Sequence, residues 1–304
     1  MFFKPNSLVL VQGITTPLGR HSAAAMKAYR MNVVAGTSVS TQEKAIADIP
    51  VYPLVEQAVD AIGPLETSAI CVEPYAVLDA ALEAIASGLR QLILVTRGVP
   101  PLDMLRLLEK ARGTDTLILG PGSAGLIIPE QVLLGAIETQ FYSSGNIALI
   151  GRTDNLLDEV AWELTRANFG QSMAVNLGTG EIAGSSFETW LPILEEDEKT
   201  DAIVIVEQNL RGGSSSAIEF VREDISKPVV AYIAGCQIPQ QQYLGKTGLI
   251  LSGWHQSLGQ DLTVEARVTT FKKAKIPVVN RSCQIPNALK KALRRKASQP
   301  GKAT

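Results

Sequence analysis

The stretch LVLVQGITTPLGRHSAAAM, residues 8–26, decides the fold. An apolar run from Leu8 to Val11 stops at Gly13, a polar turn runs to Gly19, and small helix-compatible residues follow from Ser22. Strand, tight loop and helix in that order make the opening βα unit of a nucleotide-binding α/β domain. The helix start offers free N–H groups and the positive end of the helix dipole, so an anion can sit there. Gly13 and Gly19 let the backbone turn sharply and come close to a phosphate. The spacing G-x-x-x-x-x-G is not the dinucleotide fingerprint. The second strand, Asn32 to Ala35, runs into Gly36-Thr37-Ser38-Val39-Ser40 with no carboxylate to hold a ribose, which counts against NAD. From these residues alone, a glycine turn that binds nothing stays open.

At 304 residues the chain predicts about two domains. Hydrophobic residues make up 46%, enough for sizeable cores, and 28 basic against 30 acidic residues leave no charge field for nucleic acid. No apolar run reaches the roughly 18 residues that span a bilayer, and MFFKPNS lacks the features of a signal peptide. Cys71, Cys236 and Cys283 are odd in number, far apart and without metal-ligand spacing. They point to a reducing cytosol and to no metal site. A cytoplasmic α/β protein is expected, with neither membrane nor nucleic acid as partner.

After the opening unit βα alternation continues. Strands are predicted at 69–72, 92–95 and 116–119, with helices at 76–87 and 102–112; Gly88 ends the first of these helices. The loops leaving these strands, at Gly13–Gly19, Glu73-Pro74-Tyr75, Thr96-Arg97-Gly98 and Gly120–Gly125, fall on one edge of the sheet, where open α/β sheets bind ligands.

The strings VTRGVPPLDML (95–105), GPGSAGLIIP (120–129), GTGEIAGSSF (178–187) and KPVVAYIAG (227–235) resemble the α subunit of succinyl-CoA ligase over nearly the whole chain. The resemblance implies an N-terminal Rossmann-like CoA-binding domain (1–145) and a flavodoxin-like, doubly wound parallel-sheet domain (146–298), followed by a disordered tail at 299–304. It implies CoA as cofactor, held by Gly13, Thr15, Thr16, Pro17, Leu18 and Gly19 and by Val95, Thr96 and Arg97. Two departures stand in this half: the family's P-G-K-G-G turn is replaced by Thr37-Ser38-Val39-Ser40, and Arg97 and Gly122 occupy positions of a glutamate and an asparagine. A guanidinium at 97 suits phosphate and can replace the missing lysine; an exposed loop arginine is the plainer alternative.

The second half predicts strands at 147–150, 173–176, 202–206, 229–233 and 277–279, with helices at 156–167, 187–195, 214–222 and 284–297. The basic end of the last helix reads as a solvated face favoured by the dipole. Enzymes resembling this chain relay a phosphoryl group through a histidine, between an acyl phosphate and a nucleotide on a separate β subunit. Imidazole suits that relay because its neutral nitrogen attacks phosphorus at physiological pH and leaves again. The matching loop here is Leu244-Gly245-Lys246-Thr247-Gly248-Leu249-Ile250, so Lys246 holds the nucleophile position. A protonated ammonium has no lone pair to offer unless it is deeply desolvated. The chain has two histidines: His21 at the start of the first helix, and His255 in a short insertion after the relay loop.

The resemblance also places phosphate loops at Thr153 and Asn155 and at Gly184, Ser185 and Ser186. Between the first two stands Asp154, whose charge opposes a phosphate. Glu207 matches the glutamate that orients the family histidine, within a segment two residues longer. Three functions remain open. One is a CoA-binding regulatory or assembly subunit that has lost the relay. The second is an active acid–CoA ligase subunit working with an ATP-grasp β partner through an unorthodox residue. The third is a nucleotide-binding protein of other activity. The partners that follow are a β subunit or a second copy of the chain.

Overall fold

The computed structural model describes residues 3–39, 43–208, 215–234 and 264–298. The first sheet contains β1 (Leu8–Gln12), β2 (Asn32–Thr37), β3 (Ala45–Ile46), β4 (Ile49–Tyr52), β5 (Thr67–Ile70), β6 (Gln91–Leu94) and β7 (Leu117–Leu119). Helices α1 (Pro17–Ala28), α2 (Val55–Ile62), α3 (Val77–Ala86) and α4 (Pro101–Arg112) connect them. The strand order is β3-β4-β2-β1-β5-β6-β7, parallel except for β3, as in a Rossmann-like sheet. The order reverses between β1 and β5. At that switch point Gly13, leaving β1, lies against the backbone of Cys71, leaving β5.

The second sheet contains β8 (Gly125–Ile128), β9 (Val132–Gly135), β10 (Ser144–Arg152), β11 (Gln171–Asn176), β12 (Ala202–Glu207), β13 (Val229–Ile233) and β14 (Val278–Val279). Its described helices are α5 (Leu156–Arg166), α6 (Phe187–Glu196), α7 (Ser215–Asp224), α8 (Val264–Lys273) and α9 (Ile285–Ala297). The order β14-β13-β12-β10-β11-β8-β9 is parallel from β14 to β11 and antiparallel in the β8–β9 hairpin. Every residue of β12 (AIVIVE) is buried, as a central strand covered by helices on both faces requires. The switch point here lies between β10 and β12, whose last residues Arg152 and Glu207 are paired in register.

The expected alternation thus forms two α/β sheets. The boundary expected at 145/146 falls within β10, but β8 and β9, ahead of it, already belong to the second sheet. The reason is packing: α1 lies against β9, so this hairpin covers the outer side of the first helix with the second sheet's edge. One core cluster thereby spans both sheets, with Val9, Met26, Leu133 and Trp190 in it, while a second, around Leu10, Ile70 and Leu94, belongs to the first sheet. Phe3 stacks on Trp190 at 5.8 Å between ring centroids and 7° between planes. The expected tail at 299–304 lies outside the described residues.

Candidate functional site

Gly13 has φ of +76°, and a Cβ there would stand 3.0 Å from the carbonyl of Cys71. At Gly19 a Cβ would fall 2.1 Å from the Gly13 carbonyl oxygen, so only glycine lets α1 start so close to the strand end. Thr16 caps α1: its hydroxyl accepts from the Gly19 N–H at 2.9 Å and faces the carbonyls of Gly13 and Cys71 at 2.9 and 3.0 Å. Pro17 follows at the first helical position. The Gly13 and Ile14 amides donate to the Thr37 carbonyl, fixing the loop against β2. Thr15 shares a 2.7 Å hydroxyl contact with Ser38, and Leu18 lies exposed at the rim. His21 is exposed on α1.

At the end of β6, Val95 and Thr96 are buried, and the Thr96 hydroxyl donates to the Val72 carbonyl at 2.6 Å. Arg97 crosses to the second sheet, its guanidinium 3.0 Å from Asp154 Oδ1. Gly122, at φ +67°, makes room for that arginine: a Cβ there would stand 3.1 Å from Arg97 Cγ and 2.8 Å from the Thr179 hydroxyl. The two departures at 97 and 122 are therefore sterically linked.

On the second sheet, Thr153 is fully buried and its hydroxyl accepts from the Leu156 N–H at 3.3 Å, closing the start of α5; Asn155 is exposed beside it. Asn176, unnoticed in the sequence, is the hub of this corner. Its amide nitrogen donates to the Asp154 carbonyl at 3.2 Å, its side-chain oxygen accepts from the Gly178 N–H at 2.8 Å, and its carbonyl accepts from the Ser123 hydroxyl. The one signal available was an asparagine closing an otherwise apolar strand, Met173-Ala174-Val175-Asn176.

The glycine loop 178–184 is clamped onto the first domain. The Thr179 and Gly180 amides donate to the Pro121 carbonyl at 3.1 and 3.2 Å, and the Gly184 amide to the Gly120 carbonyl at 2.7 Å. Ser185 is buried and accepts from the Trp190 indole N–H at 2.9 Å; Ser186 caps α6 in a capping box with Thr189. The three amides hold the interdomain contact, while the Ser185 hydroxyl bonds within the second domain. Glu207 is buried at the second switch point, with Arg152 in register. Lys246 and His255 lie outside the described residues.

Between the segment 97–104 and the loop 179–182 lies a cleft of about 560 Å³. Val99, Pro100, Met104 and Ile182 give it apolar walls, and Arg97, Thr179 and Glu181 stand at its polar side. No group of three or more potential metal ligands occurs among the described residues, and no described helix is long and apolar enough to cross a membrane.

Residues 5–98 match the family model described as a CoA-binding domain. The chain is 34% identical over 269 residues to a succinate–CoA ligase [ADP-forming] subunit alpha 1 of Archaeoglobus fulgidus, covering 88% of this chain and 90% of that one. It is 32% identical over 256 residues to a malate–CoA ligase subunit alpha of Methylorubrum extorquens, covering 83% and 86%. Among solved structures it is similar in fold to an ATP citrate lyase of Methanothrix soehngenii in complex with citrate and coenzyme A (TM-score 0.80, 17% identity), covering 100% of this chain and 53% of that one. The chain therefore spans about half the length of that solved protein.

Coenzyme A needs a close backbone approach for its phosphates and a long, largely apolar channel for its arm. The switch-point loop that tolerates no Cβ at Gly19, and the apolar cleft running from Arg97 towards the second sheet, fit those two demands. With a third of its residues shared along nine-tenths of a relative, the chain belongs to the succinate–CoA ligase α-subunit family, with a CoA-binding domain at residues 5–98.

Proposed function

We propose that this chain binds CoA as an α-type subunit without carrying the phosphoryl relay, and that it serves a regulatory or assembly role beside an ATP-grasp β partner. The observation that carries the proposal is Asp154. The positive end of α5 would draw a phosphate to the second switch point, and there the chain supplies its own carboxylate, paired with Arg97. A phosphate arriving there has to compete with that carboxylate for Arg97 and for the end of the helix. Lys246 at the nucleophile position of the resembling family points the same way. Bound CoA would supply a thiol able to accept an acyl group. The chain's own part is to hold the cofactor at Gly13–Gly19 and Thr96 and to wall the cleft with Val99, Pro100, Met104 and Ile182.

An active acid–CoA ligase subunit is the second reading. It is favoured by identity that runs the length of relatives named as succinate and malate ligases, and by Glu207, a buried carboxylate at the second switch point.

The deciding experiment incubates the chain and an ATP-grasp β subunit with γ-labelled ATP, then quenches in acid and in base. CoA binding by calorimetry with no label on the chain is the expected result. Acid-labile, base-stable label at Lys246 or His255 would establish the relay and overturn the proposal.

A further inference from the structure

A second cavity, of about 850 Å³, opens at the amino ends of β13 and β14, the sheet edge opposite Asp154. Five cations line it: Lys227 before β13, Lys275 before β14, and Lys291, Arg295 and Lys296 on α9. No carboxylate among the described residues does, in a chain of 28 basic and 30 acidic residues.

The helix builds this wall by its period. Asn287, Lys291 and Arg295 form one i, i+4, i+8 row; Ala288, Ala292 and Lys296 form the next. Both rows face the cavity, while Ile285 and Leu289 are fully buried in the core. The two alanines leave a trough along the helix. Ile225, Val229, Ile276 and Val278 supply an apolar floor, with Val278 half-buried on the edge strand. The cavity lies within the range of small-molecule sites, with apolar walls and a few convergent polar groups.

One of the five cations is already committed. Lys227 Nζ donates to the carbonyls of Leu194 and Asp197 at 2.9 and 2.7 Å, closing the end of α6. Burial lowers its pKa, and Lys296 adds repulsion against the pull of Glu195, Asp197 and Asp201. Lys275, Lys291, Arg295 and Lys296 form no ion pair among the described residues. Four exposed like charges lining one concavity give it a positive potential that draws anions, and a guanidinium beside ammonium groups suits phosphate oxygens.

We propose that this groove is a second binding site, remote from the CoA loop, for a small molecule that combines two or more phosphate groups with an apolar portion. The phosphates contact Lys275, Lys291, Arg295 and Lys296, and the apolar part lies in the trough over Ala288 and Ala292. A ligand here reports to α9 and β14, not to the CoA cleft.

The test is calorimetry on the full chain carrying one equivalent of CoA, which fills the CoA loop and leaves no excess to occupy the groove, at low ionic strength, with pyrophosphate and ADP as probes. Pyrophosphate is expected to bind with a Kd of about 1 mM or tighter, and ADP several-fold tighter. The double variant Lys291→Glu, Arg295→Glu should weaken both at least about tenfold. Lys275→Gln should weaken them less, and Lys110→Glu, an exposed charge reversal on α4, should change nothing. Raising salt should weaken binding steadily. Circular dichroism checks that the variants fold. Absence of binding by either probe up to roughly 10 mM overturns the proposal. So does binding that the double variant leaves intact, or ADP no tighter than pyrophosphate. Protection of Lys291 and Arg295 only when a β subunit is added would make the groove a protein interface instead.

Discussion

Arg97 and Asp154 meet across the two domains: each leaves the carboxyl edge of its own sheet, and a guanidinium nitrogen rests 3.0 Å from a carboxylate oxygen. Their side chains are 63% and 42% exposed, so water and salt weaken the attraction. The pair matters through where it stands. It neutralises the anion-drawing end of α5 and closes the polar side of the cleft at once.

A double-mutant cycle on Arg97→Ala and Asp154→Ala should give a coupling of about 0.2–1 kcal/mol in low salt, fading towards zero at high salt. Denaturant unfolding measures it. Asp154→Ser alone should raise the affinity of the chain for inorganic phosphate by removing the internal anion. Unchanged phosphate binding would deny Asp154 its blocking role.

Gly122→Asn restores the residue type of the resembling family but places a Cβ 2.8 Å from the Thr179 hydroxyl and 3.1 Å from Arg97. Asparagine tolerates φ +67°, so the cost is expected to be modest, about 1 kcal/mol. The Arg97–Asp154 coupling should fall with it, because the arginine stem has to move.

Gly19→Ala should be far worse. A methyl 2.1 Å from the Gly13 carbonyl cannot be accommodated by side-chain motion, since both atoms belong to the backbone of one tight loop. A loss of roughly 3 kcal/mol or more, with loss of CoA binding, is expected. Thr16→Ala removes the cap and the hydroxyl's contact with the Gly13 and Cys71 carbonyls, without a clash, and should cost about 1 kcal/mol. Calorimetric CoA titration beside thermal unfolding separates the two effects.

Cys71 and Cys283 should differ sharply towards a thiol reagent. Burial pushes the Cys71 thiol up to about 11, only partly opposed by its contact with Ser22, whereas Cys283 is exposed. Mass spectrometry after brief maleimide treatment at pH 7.5 should find Cys283 labelled and Cys71 unmodified until the chain is unfolded. Equal labelling would contradict the burial of Cys71 against Ser22 of α1.

Tyr142 donates to Asp158 at 2.7 Å. Burial raises the Asp158 pKa, the tyrosine bond opposes the rise, and Glu138 adds to it. Burial likewise holds the Tyr142 phenol well above its ordinary value, reinforced by the Asp158 charge. The folded pKa is raised in both. Each contribution to stability is therefore complete below the unfolded value and lost as pH climbs through the folded one. For Asp158 that loss begins above about pH 4, and for Tyr142 above about pH 10. Asp158→Asn should flatten the acid-side slope of unfolding free energy against pH, and Tyr142→Phe the alkaline one.

The long repeats of apolar strand and amphipathic helix were legible because both sheets bury nearly every strand on two faces: LVLVQ, AIVIVE and VVAYI announce themselves. The β3–β4 hairpin was not. It turns at Ala47 and Asp48, both at positive φ, with no glycine to signal the turn. The β8–β9 hairpin joins the second sheet through the antiparallel pairing of β8 with β11, a strand that follows it only after β10 and α5. Gly13, Gly19 and Arg97 were readable as loop residues, but the Arg97–Asp154 contact and the hub at Asn176 join segments whose proximity only the folded chain creates.

The stacking of Phe3 on Trp190 ties synthesis to assembly. An emerging chain can pair its first sheet early, yet Phe3 has no ring to rest on until residue 190 has left the ribosome, and Trp190 in turn steadies Ser185. The opening segment thus latches only after α6 has formed.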